Sequence, residues 1–321
     1  MLNVVEAMGL DYELVTVFRG GRLAALAALF KVRRGPFTLA KVVGTDLGVP
    51  LEFLSEDVDA SDELLAAIAA RGYVLSADSL IAGDRTVERL VPHPSWGVDV
   101  VVRERVPVVE LRSGQTAGSL RSTKSLKRLR QYRASADSFD IEIVGDADHL
   151  DRRWCDIARV AADAIAGTSK VNYVVSPHGE FARDFLRSEA CAGRLCIAGL
   201  VIDGEWAAHE IGLRTKDRME GWLTHYDPRV GKSQPGHQLI EWFANNHDRL
   251  GVNRLDQGIG VNRIKSTWAT SGYDVLRVSA VPSAWVMSRA ISRAMARVLR
   301  RLPALLLCVR KSARAAPSNE R

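Results

Sequence analysis

The feature that most constrains this chain is a pattern that occurs twice. In residues 13–43, two alternating apolar runs, 14–18 and 23–30, flank Arg19-Gly20-Gly21-Arg22, and a third run follows at 37–43. In residues 194–226, runs at 195–202 and 206–214 flank Asp203-Gly204, and a third run at 219–226 follows a polar turn. Period-two alternation is the mark of a strand, and Gly-Gly or Asp-Gly between two such runs marks a tight hairpin. Each region therefore predicts a three-stranded meander, and the repetition predicts two related halves. Two unrelated hairpins in one mixed protein are the alternative. A length of 321 residues exceeds one core of ordinary size, which fits two domains.

Helical periodicity places further helices at 62–70, 119–136, 154–166, 179–190, 238–250 and 262–270, with short strands at 253–256 and 273–281. The 119–136 segment carries Arg121, Lys124, Lys127, Arg128, Arg130 and Arg133 against few apolar residues. It reads either as a solvated helix face or as a contact for an anionic substrate.

Charge is unevenly placed. Of 44 Lys and Arg and 38 Asp and Glu, nine basic residues and one acidic residue lie in 283–321. The rest of the chain is nearly neutral, so a general nucleic-acid surface is not expected. Within 283–301, Arg289, Arg293, Arg297 and Arg300 form a stripe suited to an anionic membrane interface or to docking on the protein body. The expected location is the cytoplasm, with contact at the inner membrane face through this segment. The four cysteines form no CxxC pair, which fits a reducing compartment and predicts no metal. The N-terminal residues are acidic and broken by Gly9, unlike a signal peptide, and the apolar run at 302–309 contains Pro303 and is too short to span a bilayer.

The most specific stretch is 226–240, YDPRVGKSQPGHQLI. A strand ends at Tyr226-Asp227-Pro228, and a loop with two glycines opens directly into a helix. The free N–H groups and dipole at a helix start form an anion site. Arg229, Gly231, Lys232, Ser233, Gln234, Gly236 and His237 are the expected cradle. A Walker P-loop is excluded because Tyr226 stands where its first glycine belongs, and Gly258-Ile259-Gly260 lacks the third glycine of a dinucleotide fingerprint.

These pieces resemble the acyl-CoA pyrophosphate loop of GNAT acyltransferases. More narrowly, 194–268 resembles the CelD-like branch linked to envelope or exopolysaccharide biosynthesis. The resemblance rests on Gly193-Arg194-Leu195, Asp203-Gly204, Tyr226-Asp227-Pro228, Ser233 to Gly236 and DQGIGVNRIKSTW at 256–268. It implies an α/β (α+β) fold of tandem GNAT-like halves, each a mixed, mostly antiparallel sheet flanked by helices. The expected division is 1–118 for a degenerate first half that shapes the acceptor groove, 119–150 for a basic helix and linker, 151–282 for the acyl-CoA half and 283–321 for the tail. The first half begins without the leading helices of a complete copy, so its start reads as truncated.

The resemblance also implies direct transfer of an acyl group, expected to be acetyl, from acyl-CoA to a small-molecule amine or saccharide acceptor. For the general base, Asp256 resembles a recurring family acid, while His209 and Glu210 lie on one strand where alternation turns one toward the site and the other away. Family members place a tyrosine near the position of Trp268 to protonate the leaving thiolate. Indole cannot supply that proton, so Tyr226 or Tyr273 stands in, or the thiolate leaves unassisted. Lys265 and Trp268 are expected to contact substrate. Two other readings stand beside this one: a FemAB-type transferase using aminoacyl-tRNA, and a catalytically silent scaffold for envelope polysaccharide assembly.

Overall fold

The structure is a computed structural model that describes residues 11–34, 37–45, 49–166, 168, 172–175 and 179–283. The expected helix at 283–301 lies outside the described residues except for Ser283. The chain divides into two compact units, one built mainly from residues up to Arg103 and from Val275 onward, the other from Glu104–Asp274.

In the first unit, β1 (Tyr12–Arg19), β2 (Arg22–Arg34) and β3 (Phe37–Val42) form the expected antiparallel meander. Gly20 and Gly21 both take positive φ, the backbone that a two-residue hairpin of matching twist requires. A short strand, β4 (Leu54–Ser55), adds to β2, and α1 (Val58–Ala70) leads into β5 (Val74–Ile81), which lies parallel to β3. Asp57 caps α1 by accepting from the Ala60 N–H at 2.7 Å. Leu64, Leu65 and Ile68 of α1 bury against Val15, Leu29, Leu75 and Leu80. After α2 (Arg85–Leu90), β6 (Trp96–Glu110) begins, and β12 (Ser271–Pro282) closes this sheet antiparallel to β5.

The second unit repeats the plan. Following α3 (Ala117–Leu120) and α4 (Thr123–Arg133) come β7 (Phe139–Val144), α5 (Ala147–Ile165) and α6 (Gly179–Cys191). The meander β8 (Leu195–Ile202), β9 (Glu205–Thr215), β10 (Arg218–Tyr226) follows almost at its expected bounds. A 3-10 turn (Pro228–Ser233) and α7 (Pro235–Leu250) connect β10 to β11 (Arg254–Asp256), which runs parallel to β10, and α8 (Arg263–Trp268) precedes β12. The last part of β6 pairs antiparallel with β11, so this sheet reads β6-β11-β10-β9-β8-β7. Helices cover both of its faces. Leu150, Ile157 and Leu186 of α5 and α6 pack with Ile197 and Trp206, while Leu129, Phe243 and Trp268 pack with Met219 and Leu255.

Both units thus run meander, helix, parallel strand, of which the sequence repetition predicts the meander. The division differs from the expected one in two ways. It falls inside β6, between Arg103 and Glu104, rather than at 118/119, and the basic segment at 119–150 is built into the second unit as α4 and β7. One continuous 15-residue strand crosses that division, so composition shows no linker there. The expected helix at 119–136 is broken at Arg121-Ser122, where Ser122 leaves helical geometry to cap α4 through the Ser125 N–H. Among the described residues no helix is long and apolar enough to cross a membrane.

Candidate acyl-transfer site

The site is built where β10 and β11 part. Their parallel ladder covers only Arg218↔Arg254 to Glu220↔Asp256. Beyond Glu220 no described strand pairs with this side of β10, which also carries a bulge between Gly221 and Leu223. Gly221 makes the parting geometry feasible: a Cβ there would lie 2.7 Å from Glu210 Oε1 and 2.9 Å from the Asp256 carbonyl oxygen. Unpaired backbone groups at a strand end are available to a bound ligand.

A cavity of about 130 Å³ lies between this region and α7. Glu210, Thr224, Tyr226, Gly236, Gln257 and Lys265 face it, with an apolar remainder. Thr224 Oγ1 donates to Glu210 Oε2. Burial pushes the Glu210 carboxyl above its ordinary range, and this outweighs the opposing pull of the Thr224 hydrogen bond and of Lys265. Lys265 shifts the other way: burial lowers its ammonium, which donates to the carbonyls of Gly258 at 3.4 Å and Ile259 at 3.2 Å. Tyr226 is 42% exposed and marks the mouth.

Strand alternation settles which of the proposed bases reaches the cavity. Because Glu210 faces it, His209 points to the opposite face, fully buried with its Nε2 3.0 Å from His225 Nδ1. Burial and the neighbouring His225 keep His209 well below the usual imidazole range. Leu255 and Gln257 face the cavity, so Asp256 between them turns away. It accepts the Gly258 N–H at 2.9 Å and bonds Tyr273, bracing the loop rather than meeting the cavity. That places Tyr273 away from the cavity as well, its phenol raised by burial first and then by Asp256.

The loop after β10 is held by Asp227, which accepts the Arg229 N–H at 2.9 Å. The Arg229 guanidinium folds back on the same carboxylate, Nε to Oδ2 at 2.9 Å, so it braces the loop instead of reaching out as a phosphate ligand. Gly231, Lys232 and Ser233 form the 3-10 turn, with Lys232 exposed and Ser233 Oγ bonded to the Val230 carbonyl at 2.7 Å. Gln234 adopts φ 56°, a left-handed conformation that swings the chain into α7. Its side chain makes no cap and Pro235 has no N–H, while the His237 N–H donates to the Gln234 carbonyl at 3.0 Å, so the start of α7 carries no side-chain cap.

Beside that end lies a second, more polar depression of about 470 Å³. Arg121, Arg128 and Arg263 converge on it together with Gln234 and His237. Arg121 is fixed by donating to the Thr267 carbonyl at 2.9 Å and by lying 5.6 Å over the Trp268 ring. Trp268 is buried and donates its indole N–H to His237 Nδ1 at 2.9 Å. Arginine side chains beside a helix N-terminus make this depression a candidate anion site, with Arg128 Nε also donating to the Tyr132 hydroxyl at 3.1 Å. Ile264 borders both spaces, so the anion site adjoins the cavity.

Of the expected cradle, Gln234 and His237 line the anion site and Gly236 lines the cavity. A Cβ on Gly236 would sit 3.1 Å from Ile264 Cδ1, so the glycine lets α7 approach α8. From the basic segment, Arg121 and Arg128 line this depression, whereas Arg133 is paired with Glu241 at 2.7 Å. Arg263 was not visible from sequence, because it joins the loop only through folding. The Asn262 cap that sets the position of α8, accepting the Lys265 N–H at 2.9 Å, was its only local signal. Among the described residues no group of His, Cys, Asp and Glu is arranged to hold a metal ion.

Residues 121–266 match the family model of an acetyltransferase (GNAT) domain. No curated protein matches the sequence. Among solved structures, the C-terminal domain of a putative lysylphosphatidylglycerol synthetase from Agrobacterium fabrum is similar at 12% identity. The alignment covers 92% of this chain and 88% of that one, with a TM-score of 0.60. FemX is similar at 10% identity, 85% and 89% coverage and a TM-score of 0.56. A conserved protein of unknown function from Bacteroides thetaiotaomicron gives 10%, 85%, 86% and 0.51. Identities this low carry the fold alone. The family match supports a GNAT acetyltransferase domain in the part of the chain that holds the cavity, Arg121, Arg128 and Arg263.

Proposed function

We propose that the chain is an N-acyltransferase that moves an acyl group from acyl-CoA directly to an amine. The observation that carries this reading is the convergence of Arg121, Arg128 and Arg263 on the start of α7, beside a cavity that holds Glu210. An anionic donor would be held by these arginines and the helix dipole, with Gln234 and His237 at its side. Its thioester would supply the activated acyl group.

The remaining steps belong to the chain's own residues. The edge of β10 beyond Glu220, with which no described strand pairs, would orient and polarise a carbonyl placed along it. Glu210, raised by burial, accepts a proton from the ammonium form of the acceptor, directly or through water. Tyr226, exposed at the mouth, would give a proton to a leaving thiolate. Lys265 fixes the Gly258–Ile259 loop and holds positive charge near Glu210. The CelD-like resemblance suggests an amino sugar or another envelope or exopolysaccharide precursor as acceptor. An aminoacyl donor is the second reading, because solved structures with this fold include FemX and the lysylphosphatidylglycerol synthetase domain.

The test is calorimetric titration of CoA and acetyl-CoA into the wild type and Arg263→Glu. Gly236→Glu is unsuitable, since its side chain would press on Ile264. Arg263 is exposed, so its reversal spares the core. Losing one charged contact and gaining a repulsive one should weaken binding by about tenfold or more. A folded wild type that binds no CoA derivative would overturn the acyl-CoA reading in favour of an aminoacyl donor or a silent scaffold.

A further inference from the structure

The cavity extends past the residue proposed as base. The strand register sets out its rows. Tyr226 stands opposite Ala208 at the mouth, and Thr224, Glu210 and Ala198 form the next row across β10, β9 and β8. One step further in, Cys196 pairs with Gly212. Rows on one face of a sheet are about 7 Å apart, so this inner row lies beyond Glu210 by more than the length of an acetyl group.

The inner end is apolar. Its floor is Cys196 and Gly212, and its walls are Met219, Leu255 and Phe243, all three buried. Met219 lies over Gly212: a Cβ there would come within 2.8 Å of the Met219 sulfur. Burial pushes the Cys196 thiol up to about 11, so it stays neutral and acts as a small apolar surface. Glycine at 212 makes room for the Met219 side chain, and the small cysteine at 196 leaves space that a larger residue would fill. An empty apolar space inside a core costs stability in proportion to its volume, and nothing in an acetyl group would occupy it. The whole cavity, from the Tyr226 mouth to this inner end, measures about 130 Å³, and apolar cavities of about 150 Å³ admit a benzene-sized guest.

We infer that the inner row is an acyl-chain subsite, so that the preferred donor carries a chain of about four to six carbons rather than acetyl. This rests on the acyl-CoA reading above. Met219 and Cys196 set the chain length.

The experiment is calorimetric titration of the full chain with CoA, acetyl-CoA, butanoyl-CoA, hexanoyl-CoA and decanoyl-CoA, repeated for Cys196→Leu and Met219→Ala. One methylene in an apolar pocket changes discrimination by about tenfold or more. Hexanoyl-CoA should therefore bind at least about tenfold more tightly than acetyl-CoA, and decanoyl-CoA should bind less tightly than hexanoyl-CoA. Cys196→Leu should erase that preference while leaving CoA binding intact. Met219→Ala should move the optimum to a longer chain, and it decides the matter even where Cys196→Leu does not fold. Equal affinity for acetyl-CoA and hexanoyl-CoA, unchanged in Met219→Ala, overturns the subsite but leaves the acyl-CoA reading standing. No binding of any CoA derivative overturns both.

Discussion

The indole N–H of Trp268 donates to Nδ1 of His237 at 2.9 Å, and this one bond orients the ring at the start of α7. With Nδ1 accepting, a neutral His237 carries its proton on Nε2. Burial first, then the charges of Arg121 and Arg263, lower its pKa, so it serves as a neutral donor beside the arginines. Trp268, which stands where relatives are expected to place a catalytic tyrosine, therefore bears on the proposed donor site through His237 and Arg121. Trp268→Phe removes the N–H together with part of a buried ring. It should cost about 1–3 kcal/mol of stability and weaken CoA binding several-fold, measured by urea unfolding and calorimetry. Unchanged CoA affinity in a folded Trp268→Phe would remove His237 from the site.

Glu210 is the carboxylate that the fold delivers to the cavity, and its pKa is raised by burial. Acyl transfer should require its ionised form, so kcat/KM should fall as pH drops through a value above the ordinary carboxylate range. Glu210→Gln keeps the shape and the Thr224 contact but cannot take a proton. Turnover should drop by about 10²–10⁴-fold, while CoA affinity changes little. A variant that retained both its rate and the acidic limb of the pH profile would move the base elsewhere.

The parts of this site that were legible in the sequence are those carried by local pattern. The meander at 195–226 and the helix after Gln234 are set by alternation, turn residues and helix periodicity, and each appears close to its expected bounds. The choice among Asp256, His209 and Glu210 was not legible. Alternation says that His209 and Glu210 face opposite ways, but only the position of α7 says which face holds the cavity. Arg229 looked like a phosphate ligand because it follows the strand end, yet Asp227 two residues earlier captures it. β5, β6 and β7 gave no clear signal either. β6 alternates weakly and carries Arg103, Glu104 and Arg105 in its middle, and its edges are set by strands distant in sequence.

The fully buried His209 and the nearly buried His225 make a second pH dependence, this one of stability. Trp206 Nε1 donates toward His209 Nδ1 at 3.3 Å, and the Asn172 amide nitrogen lies 3.0 Å from His225 Nε2. With nitrogen donors at both ends and the two rings facing each other through nitrogen, the pair offers no acceptor to an added proton. Burial lowers His225 from 6.5 to about 4. Between these values the unfolded chain binds more protons than the folded one, so stability rises with pH across this window and is lost as pH falls through it. The loss from His225 should reach about 3 kcal/mol by the acidic end. Urea midpoints at pH 7.5, 6 and 5 would check this, and His225→Gln should flatten the slope. A wild-type midpoint independent of pH over that range would contradict the buried neutral pair.

Gly221 joins the fold to the chemistry at a single backbone position. Its missing side chain leaves room for both Glu210 Oε1 and the Asp256 carbonyl, and Gly258, at φ +68°, approaches the Gly221 carbonyl from the facing loop. A Cβ on Gly258 would come within 2.7 Å of that oxygen. Gly221→Ala must therefore either push β11 from β10 or turn the Glu210 carboxylate away. Overpacking of this kind should cost about 1–3 kcal/mol, read as a lower Tm. Turnover should fall further than stability alone explains, because the displaced group is the proposed base. Gly251→Ala provides the control: its φ is also positive, +66°, but its added Cβ meets nothing within 4 Å, and it lies at the far end of α7. It should lower Tm and leave kcat/KM unchanged. Equal kinetic losses in the two variants would mean that Gly221 supports only the sheet.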